Sequence, residues 1–372
     1  MSTSPPVDPP LSGPDTWPPS SAWPAAVHSG VKALRALVEG WSASQDQPIL
    51  VGVSGGADSM ALAALAAETQ RTTGLTFGAL IFDHQLQDVT AQVARQAARS
   101  CTVMGLHPVV LRKLTVTPGG DGLEAAARLA RYDAFVHCAH EVQAAGVLTA
   151  HTENDQAEQV LLGLARGSGL RSIAGIRKQR THDAPGYGPV RIGRPLLELT
   201  REATERICAW AGIRYFEDPM NRDDAIVRIR VRRHLLPALV NPSTGLGPGV
   251  FSGLVTTASL AADDAAVLED IADATYRELV TEEPHQLSFP LKALQRLPPA
   301  ILRRVIAIAV QHFGAPQPSF ERLAAIQELV FPPLGRSSSS GPIQLEGHVS
   351  LYRKKGDEEY AKLLVIPSYP RD

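Results

Sequence analysis

The sequence predicts an α/β chain: a doubly wound, mainly parallel sheet followed by a second, smaller and mainly helical domain. Three observations predict it. Between 49 and 165 short apolar runs alternate with helical stretches, the order that builds parallel strand–helix–strand units. Each run is nearly all apolar, as strands are when helices cover both faces of the sheet. From about Leu235 those runs cease and long stretches of helical periodicity follow.

Taken in order, 1–25 is crowded with Pro and Ser and holds few large apolar residues. It reads as a disordered tail, since too little surface can be buried to offset the entropy of ordering. The first domain spans 26–235 and begins with a helix through Val31 to Trp41. Strands follow at Ile49 to Val53, Phe77 to Phe82, Val109 to Leu114 and Val147 to Ala150. Helices are expected between them at Met60 to Ala67, Val89 to Met104 and Leu123 to Ala145, with another at Asp155 to Ala165. In such sheets ligands bind beyond the C-terminal ends of the strands. A helical domain is expected over 236–333, with helices at Val255 to Leu279 and Ile301 to Phe331 and Pro-rich joints at Pro284, Pro298 and Pro299. Ser337 to Gly341 reads as a flexible break inside a short C-terminal segment, 334–372.

The 372 residues suffice for two domains, and 44% hydrophobic with 20% charged residues is ordinary for a soluble globular protein. No apolar run approaches the roughly 20 residues of a membrane helix. The first Lys or Arg is Lys32, so the start lacks the positive charge of a secretory signal. A cytoplasmic protein with no membrane partner is expected. Cys101, Cys138 and Cys208 form no CxxC pair, which argues against a disulfide framework or a cysteine-built zinc site. With a net charge of −2, an RNA partner would have to be held by a local basic surface.

The sharpest motif is Ser54-Gly55-Gly56-Ala57-Asp58-Ser59, directly after a strand and before a helix. Glycines let the backbone approach phosphate oxygens, and their N–H groups with the helix N-terminus behind them make an anion site. Ser54 and Ser59 add hydroxyls. Asp58 makes sense beside a triphosphate if Mg2+ or a substrate ammonium lies between them. No Gly-Lys-Ser/Thr follows, so this is not a Walker loop. The motif resembles the SGGxDS loop of the N-type ATP pyrophosphatases, Rossmann-like enzymes that cleave ATP between the α and β phosphates and pass through an adenylated substrate.

Further segments resemble one family, tRNA(Ile)-lysidine synthase. They are Asp83-His84-Gln85-Leu86; Glu124-Ala125-Ala126-Ala127-Arg128 with Arg131-Tyr132; Thr149 to Glu158; and Arg166-Gly167-Ser168-Gly169-Leu170 with Gly175-Ile176. Arg194-Pro195-Leu196-Leu197 and Glu217 to Asn221 through Arg228, Arg230, Arg232 and Leu235-Leu236-Pro237 complete the set. The likeness runs from Ile49 to Leu239.

That resemblance implies a ligase that adenylates carbon 2 of the wobble cytidine in a CAU-anticodon tRNA(Ile) and joins L-lysine to it, releasing AMP and pyrophosphate. It implies ATP on Ser54 to Ser59, Asp83, His84 and His151, with Mg2+ at Asp58 and Arg128 at the nucleotide or the developing phosphate charge. Asp155 and Glu158 are three apart at a helix start and so share a face. With Asp58 they would make a three-carboxylate pocket for lysine. Acids there are equally ordinary partners of the helix dipole, and a lone histidine such as His151 after a strand is often structural. Arg166 and Arg171, in an acid-free stretch from Gln159 to His182, and Arg228, Arg230 and Arg232 fit phosphate contacts to tRNA. Such runs are also common on solvated faces.

Thr152 and Asn154 depart from the family's His and Asp, Met220 stands for a Ser and Ile229 for an Asn. Two alternatives stay open: another tRNA-modifying enzyme of the superfamily, and a tRNA-binding protein that holds nucleotide without catalysis. A thiolating relative would need paired cysteines. The oligomeric state stays open too, a homodimer included.

Overall fold

The computed structural model describes residues 20–41, 47–83, 88–114, 123–167, 169–331, 342–354 and 362–367. The expected tail therefore lies largely outside the described residues. Two compact units form: Met1–Gly167 with Ser172–Ala258, and Ser168–Arg171 with Ser259–Asp372.

In the first unit β1 (Ile49–Val53), β2 (Phe77–Asp83), β3 (Val109–Lys113) and β4 (Gly146–Leu148) alternate with α1 (Ala25–Glu39), α2 (Ala57–Thr73), α3 (Asp88–Val103), α4 (Leu123–Glu141) and α5 (Glu153–Ala165). A hairpin of β5 (Gln179–His182) and β6 (Val190–Gly193) completes the sheet, and α6 (Arg201–Trp210) follows. The sheet order is β3-β2-β1-β4-β6-β5. All pairings are parallel except that of β5 with β6. The chain runs outward from β1 through β3 and then returns to the other side of β1 at β4. That reversal opens a crevice at the C-terminal ends of β1 and β4.

Apolar side chains explain the layers. Val27, Val31 and Leu34 of α1 and Ile207 and Cys208 of α6 pack with α2 over one face, and Tyr132, Phe135 and Val136 of α4 cover the other. Nearly every side chain in the first three turns of α2 is buried, and alanines let its neighbours approach closely. Gly74 ends that helix in the left-handed conformation, its N–H on Gln70 O.

Boundaries differ from expectation where turns intrude. The fourth strand stops at Leu148 instead of Ala150, because Thr149 begins the turn into α5. The β5–β6 hairpin was not expected; β5 is short, polar and half exposed, with no apolar run to reveal it.

Beyond α6, α7 (Val227–Arg230) continues through a π turn, Val231–Leu235, into α8 (Leu236–Val240). The unit boundary falls inside α9 (Gly249–Leu279). Among the described residues α9 is the one helix long and apolar enough to cross a membrane by length and composition, although Asp263, Asp264, Glu269, Asp270 and Asp273 lie along it.

The second unit is less helical than expected. It holds α10 (Leu291–Leu294), α11 (Pro299–Gln311) and α12 (Phe320–Val330), with β7 (Thr281–Glu283), β8 (Gln286–Pro290), β9 (Ile343–Leu345), β10 (Val349–Lys354) and β11 (Lys362–Pro367). These strands make an antiparallel sheet, β7-β8-β11-β10-β9. Leu287, Phe289, Leu351, Leu363 and Val365 share one core with Leu302, Val305 and Ile306. Strands of three to six residues carry too little alternation to stand out in a sequence. The stretch expected as one helix, Ile301 to Phe331, is broken by Gly314, at φ 75°, together with Pro316 and Pro318.

Candidate active site

The loop after β1 is braced internally. Gly55 has φ 87°, a left-handed conformation that disfavours a side chain, and an added Cβ would meet Val93 Cγ1 at 2.7 Å. Ser59 Oγ accepts the Ser54 N–H at 3.1 Å, donates to Gly56 O at 2.9 Å and lies 3.1 Å from Ser54 Oγ. From outside, Phe216 N–H donates to Gly55 O at 2.9 Å. Gly56 is the N-cap of α2, so Ala57 and Asp58 begin a 17-residue helix whose free N–H groups and dipole face the crevice.

Asp58 is engaged by two residues that sequence reasoning missed. Arg201 Nη1 donates to Oδ2 at 2.7 Å and Thr204 Oγ1 to Oδ1 at 2.6 Å. Burial is the main force on its carboxyl and raises its pKa; Thr204 and Arg201 oppose this, and Asp155 adds to it. Arg201 and Thr204 lie one turn apart in α6, next to the Arg194-Pro195-Leu196-Leu197 motif, and that proximity was the available hint.

Across the crevice, β4 leads into α5. Asp155 Oδ2 accepts from Thr152 N at 2.9 Å and Thr152 Oγ1 at 3.2 Å, reaching back as the third residue of a capping box does. Asn154 Oδ1 accepts from Arg201 N at 2.8 Å and so secures the start of α6. Both departures from the family motif therefore have structural work here.

Glu158 is 0% exposed. Its Oε2 accepts from Arg228 Nε at 2.8 Å and Arg232 Nη2 at 3.1 Å, and its Oε1 from Arg232 Nε at 2.6 Å. Asp155 Oδ1 lies 3.3 Å from Arg232 Nη2 and 3.5 Å from Arg228 Nη2. A buried carboxylate is costly unless paired and hydrogen-bonded, and this one is both. Burial alone would raise the Asp155 carboxyl, but the guanidiniums of Arg228 and Arg232 and the Thr152 amide outweigh it and hold it below its ordinary value. Acids expected for lysine and arginines expected for tRNA thus meet in one cluster. Arg228 and Arg232 are four apart, so one helical face carries both guanidiniums.

The other expected residues lie elsewhere. Arg230 donates to the carbonyls of Asp224 and Ala225. Arg166 is exposed at the end of α5. Arg171 belongs to the second unit, where it bonds Glu269 and Gln317. Asp83 is buried at the end of β2 and accepts from Thr90 Oγ1 at 3.0 Å. His84 lies outside the described residues.

His151, just past β4, is half exposed yet closely surrounded, with Nδ1 3.1 Å from Thr149 Oγ1. Burial lowers its pKa to about 3; Asp155 opposes, and Arg194, Arg128 and Arg131 push the same way as burial. It is a neutral ring. Beside it, Arg128 and Arg180 stand 5.6 Å and 4.1 Å from the Tyr132 ring centre. Arg194 donates to Tyr132 Oη at 3.1 Å and to Arg177 O at 2.7 Å.

Comparison with known proteins agrees with this architecture. Residues 28–239 match the family model described as a PP-loop domain, and 289–357 match the TilS substrate binding domain. Fold and loop therefore define a PP-loop ATP-utilising protein of the N-type pyrophosphatase fold. The chain is 39% identical over 309 residues to tRNA(Ile)-lysidine synthase of Leifsonia xyli subsp. xyli, covering 83% of this chain and 88% of that one. Identity to the enzyme of that name from Salinispora tropica is also 39%, over 83% of this chain and 89% of the relative. The chain belongs to the tRNA(Ile)-lysidine synthase family. Among solved structures, the U34-tRNA thiolase NcsA from Methanococcus maripaludis shares the fold, with a TM-score of 0.52 at 13% identity over 64% of this chain and 80% of that one.

Proposed function

We propose that this chain is a cytoplasmic ligase that joins L-lysine to carbon 2 of the wobble cytidine in tRNA(Ile) with a CAU anticodon, at the expense of ATP. The observation that carries this reading is that the phosphate loop after β1 and the Asp155–Glu158–Arg228–Arg232 cluster after β4 both lie at the C-terminal ends of adjacent strands.

The amides after β1 and the α2 dipole hold the triphosphate. The cytidine, unstacked into the crevice, attacks the α-phosphate through its carbon-2 oxygen and pyrophosphate leaves. Lysine binds as a zwitterion, and the cluster offers both signs: Asp155 for its α-ammonium, Arg228 or Arg232 for its carboxylate, with the buried Glu158 fixing both guanidiniums. Asp58, whose proton affinity burial raises, receives a proton from the ε-ammonium. The freed amine attacks carbon 2 and AMP departs. Arg128 lies on the side where phosphate charge develops.

Mg2+ bound with ATP would offset the phosphate charge, and Asp58 would hold it during adenylation, before lysine arrives: a carboxylate has about four acceptor sites, and Arg201 and Thr204 occupy two of them.

A thiolating activity fits poorly. Cys101 and Cys208 are buried, and burial pushes both thiols up to about 12.

The test is to incubate unmodified tRNA(Ile) with ATP and labelled lysine. Label should enter the RNA; none, beside an active control, rejects the reading. Asp58→Asn should cut incorporation at least 100-fold, of the order of a general acid–base contribution, with tRNA affinity within twofold. Unchanged incorporation would remove Asp58 from the chemistry.

A further inference from the structure

Arg131, Arg180 and Arg194 around Tyr132 are not accounted for by nucleotide or lysine. Tyr132 and Arg194 form a floor, each only 2% exposed. Arg128, Arg131 and Arg180 stand over that ring, with guanidinium carbons 5.6, 6.0 and 4.1 Å from its centre. The buried Nε atoms of Arg194 and Arg180 have no partner among the described residues. A buried donor left unpaired costs stability.

The charge of these arginines is uncompensated as well. Burial lowers the Arg131 pKa, Tyr132 opposes, and Arg128 and Arg228 lower it further. Arg180 is lowered by burial, opposed by Tyr132, then lowered by Arg194 and Arg128. Among the described residues no carboxylate acts on either. The nearby acid, Asp133, is paired with His182 at 2.9 Å.

We propose that Arg131, Arg180 and Arg194 around Tyr132 form a phosphate pocket that grips the RNA backbone beside the cytidine being modified. This rests on the lysidine reading above and extends it to residues with no assigned role there. Phosphate is the matching ligand because guanidinium forks offer paired N–H donors to its oxygens. The RNA backbone is the favoured source because the pocket belongs to β5, β6 and α4, whereas the triphosphate site follows β1. Two strand spacings, roughly 10 Å, separate β1 from β6. Such contacts fix the register of the RNA and carry no sequence information.

The test uses the full chain, with Arg180→Gln as the main variant and Arg194→Lys as a second that keeps the buried charge. Affinity for tRNA(Ile) is measured from 50 to 300 mM salt, about the range over which phosphate contacts are titrated. ATP and lysine affinities are measured separately. Arg180→Gln should weaken tRNA binding at least fivefold and flatten the slope of log affinity against log salt by about 1, with ATP and lysine affinities unchanged. Arg194→Lys should keep the slope and lose affinity, because a point charge replaces the fork. An unchanged slope in Arg180→Gln overturns the pocket, as does a loss of ATP affinity, which would make these arginines part of the nucleotide site. Binding is read independently of turnover. A wild-type chain that binds tRNA but incorporates no lysine sinks the activity reading alone.

Discussion

Glu158, at 0% exposure beneath two guanidiniums, ties stability to the lysine site. Glu158→Gln leaves Arg228 and Arg232 short of one negative partner. Removing one side of a buried pair costs about 3–5 kcal/mol, and the low end applies because Arg232 is 42% exposed. The variant should show a lowered denaturation midpoint and a lysine KM raised about tenfold, with ATP affinity retained. An unchanged lysine KM would restrict Glu158 to a structural part. His151 makes a separate prediction with a definite sign. Its pKa is lowered from 6.5 to about 3, so the unfolded chain takes up a proton first as pH falls. The stability it contributes is therefore fully present above pH 6.5 and lost toward pH 3. His151→Gln should lessen the fall in stability between pH 7.5 and 5. An equal fall in both proteins would show that the ring is not held neutral. None of this was legible beforehand: spacing placed Asp155 beside Glu158, but nothing local to α5 announces partners some 70 residues away.

At the scale of elements, the β1–α2 junction was the most legible part of the chain. Its conformation is local: Gly55 supplies the left-handed turn, Ser59 closes the loop and α2 continues from it. Gly55→Ala places a Cβ in a disfavoured conformation and 2.7 Å from Val93 Cγ1. Strain of about 1–3 kcal/mol is expected, and ATP affinity should drop more than tenfold while the far-UV spectrum stays native. Retained affinity would mean that the amides do not hold the phosphates. The reverse case is α7 with the π turn that follows it, which the sequence presents as an arginine run suited to RNA. Here Arg228 and Arg232 turn inward to carboxylates, while Arg230 turns to the backbone carbonyls of Asp224 and Ala225. Residue type could not separate these fates, because a helix face is defined only by what it packs against.

For the whole molecule, alternating apolar runs and glycine turns sufficed to determine the parallel sheet of the first unit and the place of its phosphate loop. Both follow from local patterning, since strands covered on two faces must be apolar and a phosphate loop must be glycine-rich. Tertiary structure alone decided the rest: that β4 returns to the far side of β1, that Arg201 and Thr204 hold Asp58, and that arginines gather on Tyr132. It also decided that strands from the last thirty or so residues complete an antiparallel sheet with β7 and β8. Each of these is a contact between segments distant in the chain, and its energy depends on burial and pairing that no single segment encodes.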